Sequence, residues 1–505
     1  MAATPQGAYE ELIRRVREAA MLGSAAAVLG WDRETYMPRK GAPHRAAQLA
    51  LLAGMVHEKF TDPRVGDLIA AVEGTDEVAD PLSAPAVNTR ELRRVYDRAT
   101  KLPRELVEEI AHTTSLAHGE WVEARANADF KHFQPWLEKI VALKIREADC
   151  YGHSGNRYDA LLEDYEPGAT TAWLEGVFAP LREDLVALLG AIQGASRRPD
   201  AAILHRTYPV DRQQLFGRVA AAAIGFDFEA GRVDTVTHPF CSGIGPGDTR
   251  LTSRYNERDF GDAFFTIVHE TGHGLYDQGL PAGHWGTPRG DCVSLGIHES
   301  QSRLWENFVA RGLPFWRHFF PIAQQFFPAA LGDVALDALH FAINDVRPSF
   351  IRVDADEVTY NLHIILRFEI EQALLSGDLA VADLPTAWNA KFAAFFGITP
   401  PDDAQGCLQD VHWSHGGLGY FPTYTLGNLN AAQLFAAARE AMPDLDKEFA
   451  RGRFGDLLAW LRENIHSRGM QYRAPELIEI TTGEPLTHTH LITHLRTKLE
   501  PLYGL

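Results

Sequence analysis

The chain has 505 residues, 46% of them hydrophobic and 23% charged, with a mean hydropathy of −0.18. This is the composition of a soluble globular protein with ample material for a core. A formal net charge of −19 and a sequence pI near 5.5 exclude nucleic acid and anionic membrane surfaces as partners.

Near the N-terminus Glu10, Glu11, Arg14, Arg15, Arg17 and Glu18 interrupt the apolar residues, which predicts an amphipathic helix and not a secretory signal. Helical spacing then continues almost unbroken to about Gly194: Tyr9–Trp31, His44–Phe60, Glu91–Leu102, Arg104–Glu123, Trp136–Cys150 and Thr170–Ile192. Breaks fall at Pro38, Pro81, Pro85, Pro103 and Gly152, where helix ends belong. No fixed-period repeat is visible. The longest apolar stretch, near Val219–Phe226, is far too short to cross a bilayer. The four cysteines (Cys150, Cys241, Cys292, Cys407) are scattered without a Cys-x-x-Cys pair, so they read as reduced thiols of a cytoplasmic protein.

Between Arg232 and Tyr255 the texture changes. Val233, Thr235 and Thr237 alternate with other residues, and a glycine-rich turn at 243–247 precedes Thr249–Ser253. This predicts a small β-hairpin that lines a cleft and offers a free edge to an extended peptide. No Lys-Ser/Thr follows the turn, which argues against a phosphate loop. Helices resume at Ile297–Arg311, Phe315–Gln325, Ala329–Asp345, Glu357–Ser376 and Pro385–Phe396. A polar, glycine-rich segment, Gln405–Gly427, separates them from Leu429–Met442, Phe454–Ser467 and His488–Leu499. With no linker rich in Pro, Ser or charge, the expected fold class is mainly α. It is one large helical unit over 1–505, divided by a deep substrate cleft, with the small hairpin beside the active site. Residues 1–200 are expected to cover the cleft, 230–427 to hold the metal and substrate site, and 428–505 to form C-terminal helices.

The chemistry concentrates at His269-Glu270-Thr271-Gly272-His273. Two histidines four apart share a helix face, so their imidazoles converge on one metal ion, and Glu270 follows as general base for a water. Asp259 or Asp262 serves as N-cap, Phe264, Phe265, Ile267 and Val268 form the apolar approach, and Gly279 with Pro281 ends the run. Gly272 and Gly274 each cost such a helix about 1 kcal/mol against alanine, which a purely structural helix has little reason to bear.

A catalytic zinc needs a third protein ligand and an open position. The elongated zinc-protease motif requires glycine at 276 and histidine at 279; the chain has Tyr276 and Gly279, so that plan fails. The other plan takes a glutamate from a following helix. Glu299, at the start of the Ile297–Arg311 helix, is the preferred ligand. Glu306 is the rival, set among apolar neighbours with no evident polar partner. His298 points about 100° away from Glu299 and reads as a supporting cleft residue.

Further along, His238-Pro239-Phe240, Asp248-Thr249-Arg250-Leu251-Thr252, His298-Glu299-Ser300-Gln301-Ser302, Ile351-Arg352-Val353-Asp354-Ala355-Asp356 and Gly406-Cys407-Leu408-Gln409-Asp410-Val411-His412-Trp413 stand in order. Together with Trp31-Asp32 and Met37-Pro38, these segments resemble the carboxypeptidase Taq family of metal-dependent carboxypeptidases, across essentially the whole chain. The resemblance implies a mostly helical, cleft-containing peptidase that removes C-terminal residues from peptides. It also implies one divalent ion per chain, zinc with cobalt as the alternative, and a homodimer.

Beside that resemblance, the residues have their own chemistry. Arg352 and Arg250 are candidates for a substrate's free carboxylate, because a guanidinium fork matches it with two bonds. The plainer reading of either is an ion pair with Asp248, Asp354 or Asp356. Tyr420 and His412, with Tyr424 close by, are candidates to donate to the oxyanion. His238 and Gln409 are placed at the substrate, Gln409 and Asp410 also as residues that orient neighbours. The expected mechanism has His269, His273 and Glu299 hold the ion while Glu270 takes a proton from water and passes it to the leaving amine. The rival readings are an oligoendopeptidase or dipeptidyl carboxypeptidase on the same scaffold, and a noncatalytic helical metal-binding protein.

Overall fold

A computed structural model describes residues 4–505, and helices dominate it throughout. The chain starts with α1 (Pro5–Thr35), whose N-cap Thr4 accepts a hydrogen bond from the Gly7 amide while Pro5 takes the first turn. It turns at Tyr36–Gly41 into α2 (Ala42–Phe60), a helix with no buried residue. The helix Pro63–Val72, absent from the sequence reading, closes a small core of its own with α1: Leu12, Val16, Val65, Leu68, Ile69, Val72 and Leu92. A second, much larger core gathers apolar residues from Ala117 to Tyr503. No described helix is long and apolar enough to cross a membrane.

Helix termini follow many of the proline and glycine signals, but the helices expected from Glu91 and Trp136 begin earlier, at Ala84 and Phe130, and Val210–Ala223 and Ala474–Thr482 are additional helices. The helix expected over Ala329–Asp345 is two short pieces, Pro328–Leu331 and Leu336–Ala342. The helix expected from Leu429 starts at Pro422 and runs to Ala441, taking up the end of the glycine-rich segment.

The sheet also differs. It has three strands, β1 (Gly231–Thr235), β2 (Cys241–Gly245) and β3 (Asp248–Ser253), in the order β1–β3–β2. β2 and β3 form the hairpin, with Cys241 opposite Leu251 and a turn at Pro246–Gly247, where Gly247 takes a φ of +81°. β1 lies parallel to β3, with Gly231 opposite Thr249. Most of the glycine-rich run is therefore strand and not turn. β2 is an edge strand, but α1 lies along it, and the Ser24 hydroxyl donates to the Ile244 carbonyl at 2.8 Å.

The helix Phe260–Gly279 carries the His-Glu-x-x-His motif and is capped by Asp259, whose carboxylate accepts from the Asp262 amide. Phe260 and Phe264 stack at 5.5 Å and join Phe216, Phe315, Trp316 and Phe327 in an aromatic block that fixes this helix in the core. The two glycines inside it have a packing reason. A Cβ at Gly274 would lie 2.8 Å from side-chain carbons of Leu251 and Phe226, and Gly272 faces bare backbone of the following helix, Leu295–Arg303. That helix runs directly into a π-helical stretch, Leu304–Ala310, where the wider turn re-aims its side chains.

Candidate active site

A cleft of about 1100 Å³ opens over the motif helix. Its walls are His238–Cys241 from the β1–β2 connection, the faces of the two crossing helices, the 352–355 turn, and Tyr360, Tyr420, Thr423 and Tyr424. Among the described residues its lining begins at Leu204, while α1 bonds the Trp285 and Ile244 carbonyls.

His269 and His273 project from one face of their helix with ring centroids 4.9 Å apart. The helix crossing brings Glu299 to them. Its Oε2 lies 3.6 Å from Nε2 of His269 and 3.3 Å from Nε2 of His273. Ligand atoms about 2.0–2.1 Å from an ion in a tetrahedron stand roughly 3.3 Å apart, so this trio has the spacing of a zinc-type site. Among the described residues one other such grouping occurs, Glu120, Glu123 and His132, remote from the cleft.

Two of the three donors are held in the state a cation requires. Arg303 donates from Nε to Oε1 of Glu299 at 2.7 Å, which leaves Oε2 for the histidines. Burial works against an ionised Glu299, but Arg303 and His269 outweigh it and hold its carboxyl well below the usual range. Burial pushes His273 down to about 4, the neutral form in which an imidazole offers a lone pair. His269 is raised despite its burial, by the charges of Glu299 and Glu306: negative potential is in excess here, as a cation site requires. These observations fit a divalent ion held by His269, His273 and Glu299.

Glu306 is not the solitary residue that its apolar neighbours suggested. The π-helical stretch turns its carboxylate onto Nδ1 of His269 at 2.9 Å and within 3.1 Å of Arg303. It orients the His269 ring. Glu270 lines the cleft beside the histidines, and burial pushes its carboxyl up to about 7, into the range where it exchanges protons near neutral pH.

Arg352 faces the cleft at the other side. Its ion-pair partner is none of Asp248, Asp354 or Asp356 but Asp410, at 2.7 Å, whose second oxygen holds the fully buried Arg367. Nη1 of Arg352 donates to the Tyr360 hydroxyl at 3.0 Å. Together these bonds use three of its five N–H groups and leave two for a substrate. Gln409 has no polar atom left for substrate: its oxygen accepts from the Arg352 amide and its NH₂ donates to the carbonyls of Phe350, Gln405 and Gly406. It braces Arg352. Arg250 lies on β3 with both arms on Asp248, at 2.7 and 2.8 Å, stacked on Trp31, and does not line the cleft.

Tyr420 and Tyr424 line the cleft with rings 5.4 Å apart, and Nε2 of His412 meets the Tyr424 hydroxyl at 3.3 Å from behind. Burial lowers His412 to about 4, so it stands there as a neutral ring. The loop that bears His412 and Tyr420 is tied down by buried Glu371, which accepts from Trp413 Nε1 at 2.7 Å, the Gly419 amide at 3.1 Å and the Tyr158 hydroxyl at 2.8 Å. His238 lines the cleft. Arg303, Tyr360 and Glu371 were missed by the sequence reading, and Glu306 was weighed there only as a rival ligand. The only signals for them were the spacings of Arg303 and Glu306 from Glu299 along one helix.

The family model described as carboxypeptidase Taq (M32) metallopeptidase matches residues 11–499. The thermostable carboxypeptidase 1 of Thermus thermophilus is 49% identical over 99% of this chain and 100% of its own length. The carboxypeptidase 1 of Bacillus subtilis is 37% identical over 98% of each. Among solved structures, the M32 carboxypeptidase from Deinococcus radiodurans R1 superposes with a TM-score of 0.96 at 40% identity, covering 99% of this chain and 100% of that one.

Proposed function

The chain belongs to the carboxypeptidase Taq (M32) metallopeptidase family and is a metal-dependent carboxypeptidase acting on peptides, and from that premise we propose how its own residues perform the reaction. His269, His273 and Glu299 hold one divalent ion per chain, zinc, with cobalt as an alternative. The observation that carries this reading is the single oxygen, Glu299 Oε2, set within 3.6 Å of both Nε2 atoms. When bound, the ion supplies Lewis acidity that polarises the scissile carbonyl and acidifies water.

Glu270 takes the proton from the attacking water and delivers it to the leaving amine. Its elevated pKa near 7 suits a group that must do both. Tyr420 donates to the oxyanion, with Tyr424 and His412 behind it fixing its surroundings. Arg352 grips the free C-terminal carboxylate with its two remaining N–H groups. The Asp410, Tyr360 and Gln409 contacts pre-set the guanidinium plane, so little ordering is left for binding. An exopeptidase results, because only a chain end brings an anion within reach of Arg352. His238 contributes to the wall around the substrate, and Arg250 acts through the rigidity of β3.

The chain works as one unit, with the N-terminal helices buttressing the sheet. The uncovered face of α2, with Leu51 66% exposed and Met55 39% exposed, is the surface we assign to a second copy in a homodimer. Four free cysteines favour a reducing cytoplasm. The direct test pairs metal analysis with timed release of amino acids from one peptide, free and C-terminally amidated. Single residues are released from the free peptide and none from the amide. Equal cleavage of both peptides, or turnover by metal-free protein, refutes the assignment.

A further inference from the structure

We propose that Asp277, through His298, sets the tautomer and aim of His273 and is thereby a positioning residue for the metal. The inference rests on His273 being a ligand.

Asp277 lies one helical turn beyond His273 on the same face, and the ring of His298 from the crossing helix stands between them. Its Nδ1 is 2.6 Å from Nδ1 of His273 and its Nε2 is 3.0 Å from Oδ1 of Asp277. The edge of the Tyr276 ring confines it, with centroids 5.2 Å apart. Oδ2 of Asp277 is held in turn from the sheet: Cys241 Sγ approaches to 3.6 Å, and Gly243 leaves the carboxylate space, since a Cβ there would lie 2.7 Å from Oδ2.

With Nε2 of His273, the atom that faces Glu299, given to the ion, its hydrogen is on Nδ1. Nδ1 of His298 then accepts from it, and Nε2–H of His298 donates to the Asp277 carboxylate. His269 reaches the same state in one step, with Glu306 directly on its Nδ1. The two ligands are thus oriented by carboxylates from different elements, and one of them acts through an intervening ring.

The test is equilibrium competition for Co(II) between a chelator and wild type, Asp277→Asn, His298→Leu and His273→Ala, followed with the visible cobalt spectrum. An amide at 277 can turn its NH₂ toward His298, which removes the acceptor-only constraint. Asp277→Asn and His298→Leu are expected to hold cobalt about 10- to 100-fold more weakly, with shifted visible bands. His273→Ala is expected to hold none. Wild-type retention and spectra in the first two variants overturn the relay and leave the ligand reading standing. Cobalt retained by His273→Ala overturns the reading itself. Asp277→Asn, nearly isosteric, decides the matter if His298→Leu does not fold.

Discussion

A Cβ at Gly272 would stand 2.5 Å from the carbonyl oxygen of Gln301 and 2.6 Å from Cα of Ser302, so these backbones touch where the two ligand-bearing helices cross. In an open helix Gly→Ala gains about 1 kcal/mol. Here the contact reverses the sign. Overpacking of a tight core costs about 1–3 kcal/mol, so Gly272→Ala is expected to lower stability and to pull Glu299 away from His273. A fall in both melting temperature and metal retention checks this; a more stable variant with intact metal binding refutes the account.

Glu270→Gln removes the proton acceptor and leaves His269, His273 and Glu299 in place. The expected result is full metal content with kcat reduced about 10²- to 10⁴-fold. Metal analysis on the sample used for kinetics separates this from loss of the ion.

At Arg352 the fork matters more than the charge. Arg352→Lys is expected to lose about 10- to 100-fold in kcat/KM on free peptides, since charged hydrogen bonds to the carboxylate are worth about 1.5–3 kcal/mol. Arg367 still neutralises Asp410, so the fold is expected to persist. Unchanged kcat/KM for Arg352→Lys rules out carboxylate recognition here.

Glu166, buried at the start of the Glu299 helix, accepts from the Gly296 amide, and burial pushes its carboxyl up to about 8. Its folded pKa lies above its unfolded value, so the folded state binds the extra proton between them. The stabilisation is complete below the unfolded pKa and fades as pH rises toward 8. Wild type is therefore expected to lose melting temperature relative to Glu166→Gln as pH climbs from about 5 to 8. Parallel curves for the two proteins contradict this.

Removal of the ion by chelation is expected to abolish peptide hydrolysis and to lower the melting temperature. Ligand linkage contributes about 4 kcal/mol at a thousandfold excess over Kd. Zinc or cobalt is expected to restore both.

The meeting of His269, His273 and Glu299 was legible because it depends on local geometry: two histidines four apart and an acid at the head of the next helix. The Asp259 cap and the proline-set helix ends were legible for the same reason. What supports the trio was not, because it arises from packing. Glu306 reaches His269 through a π-helical stretch that no periodicity announces, and Asp277 meets His298 only where two helices cross. Arg352 chose Asp410, 58 positions away, over acids two and four positions along its own turn. The parallel pairing of β1 with β3 is equally non-local, and so the alternation at 233–237 pointed to a different hairpin.

Gly427 presses on the stem of Glu299 from the far side, where a Cβ would come 2.4 Å from Cγ. With the Gly427 backbone against its stem and Arg303 bonded to one oxygen, the acid is confined. Its charge is therefore parked in position by the scaffold before any ion arrives. Loading then resembles filling a mould more than nucleating one, and exchange of one divalent ion for another need not unravel the helices around it.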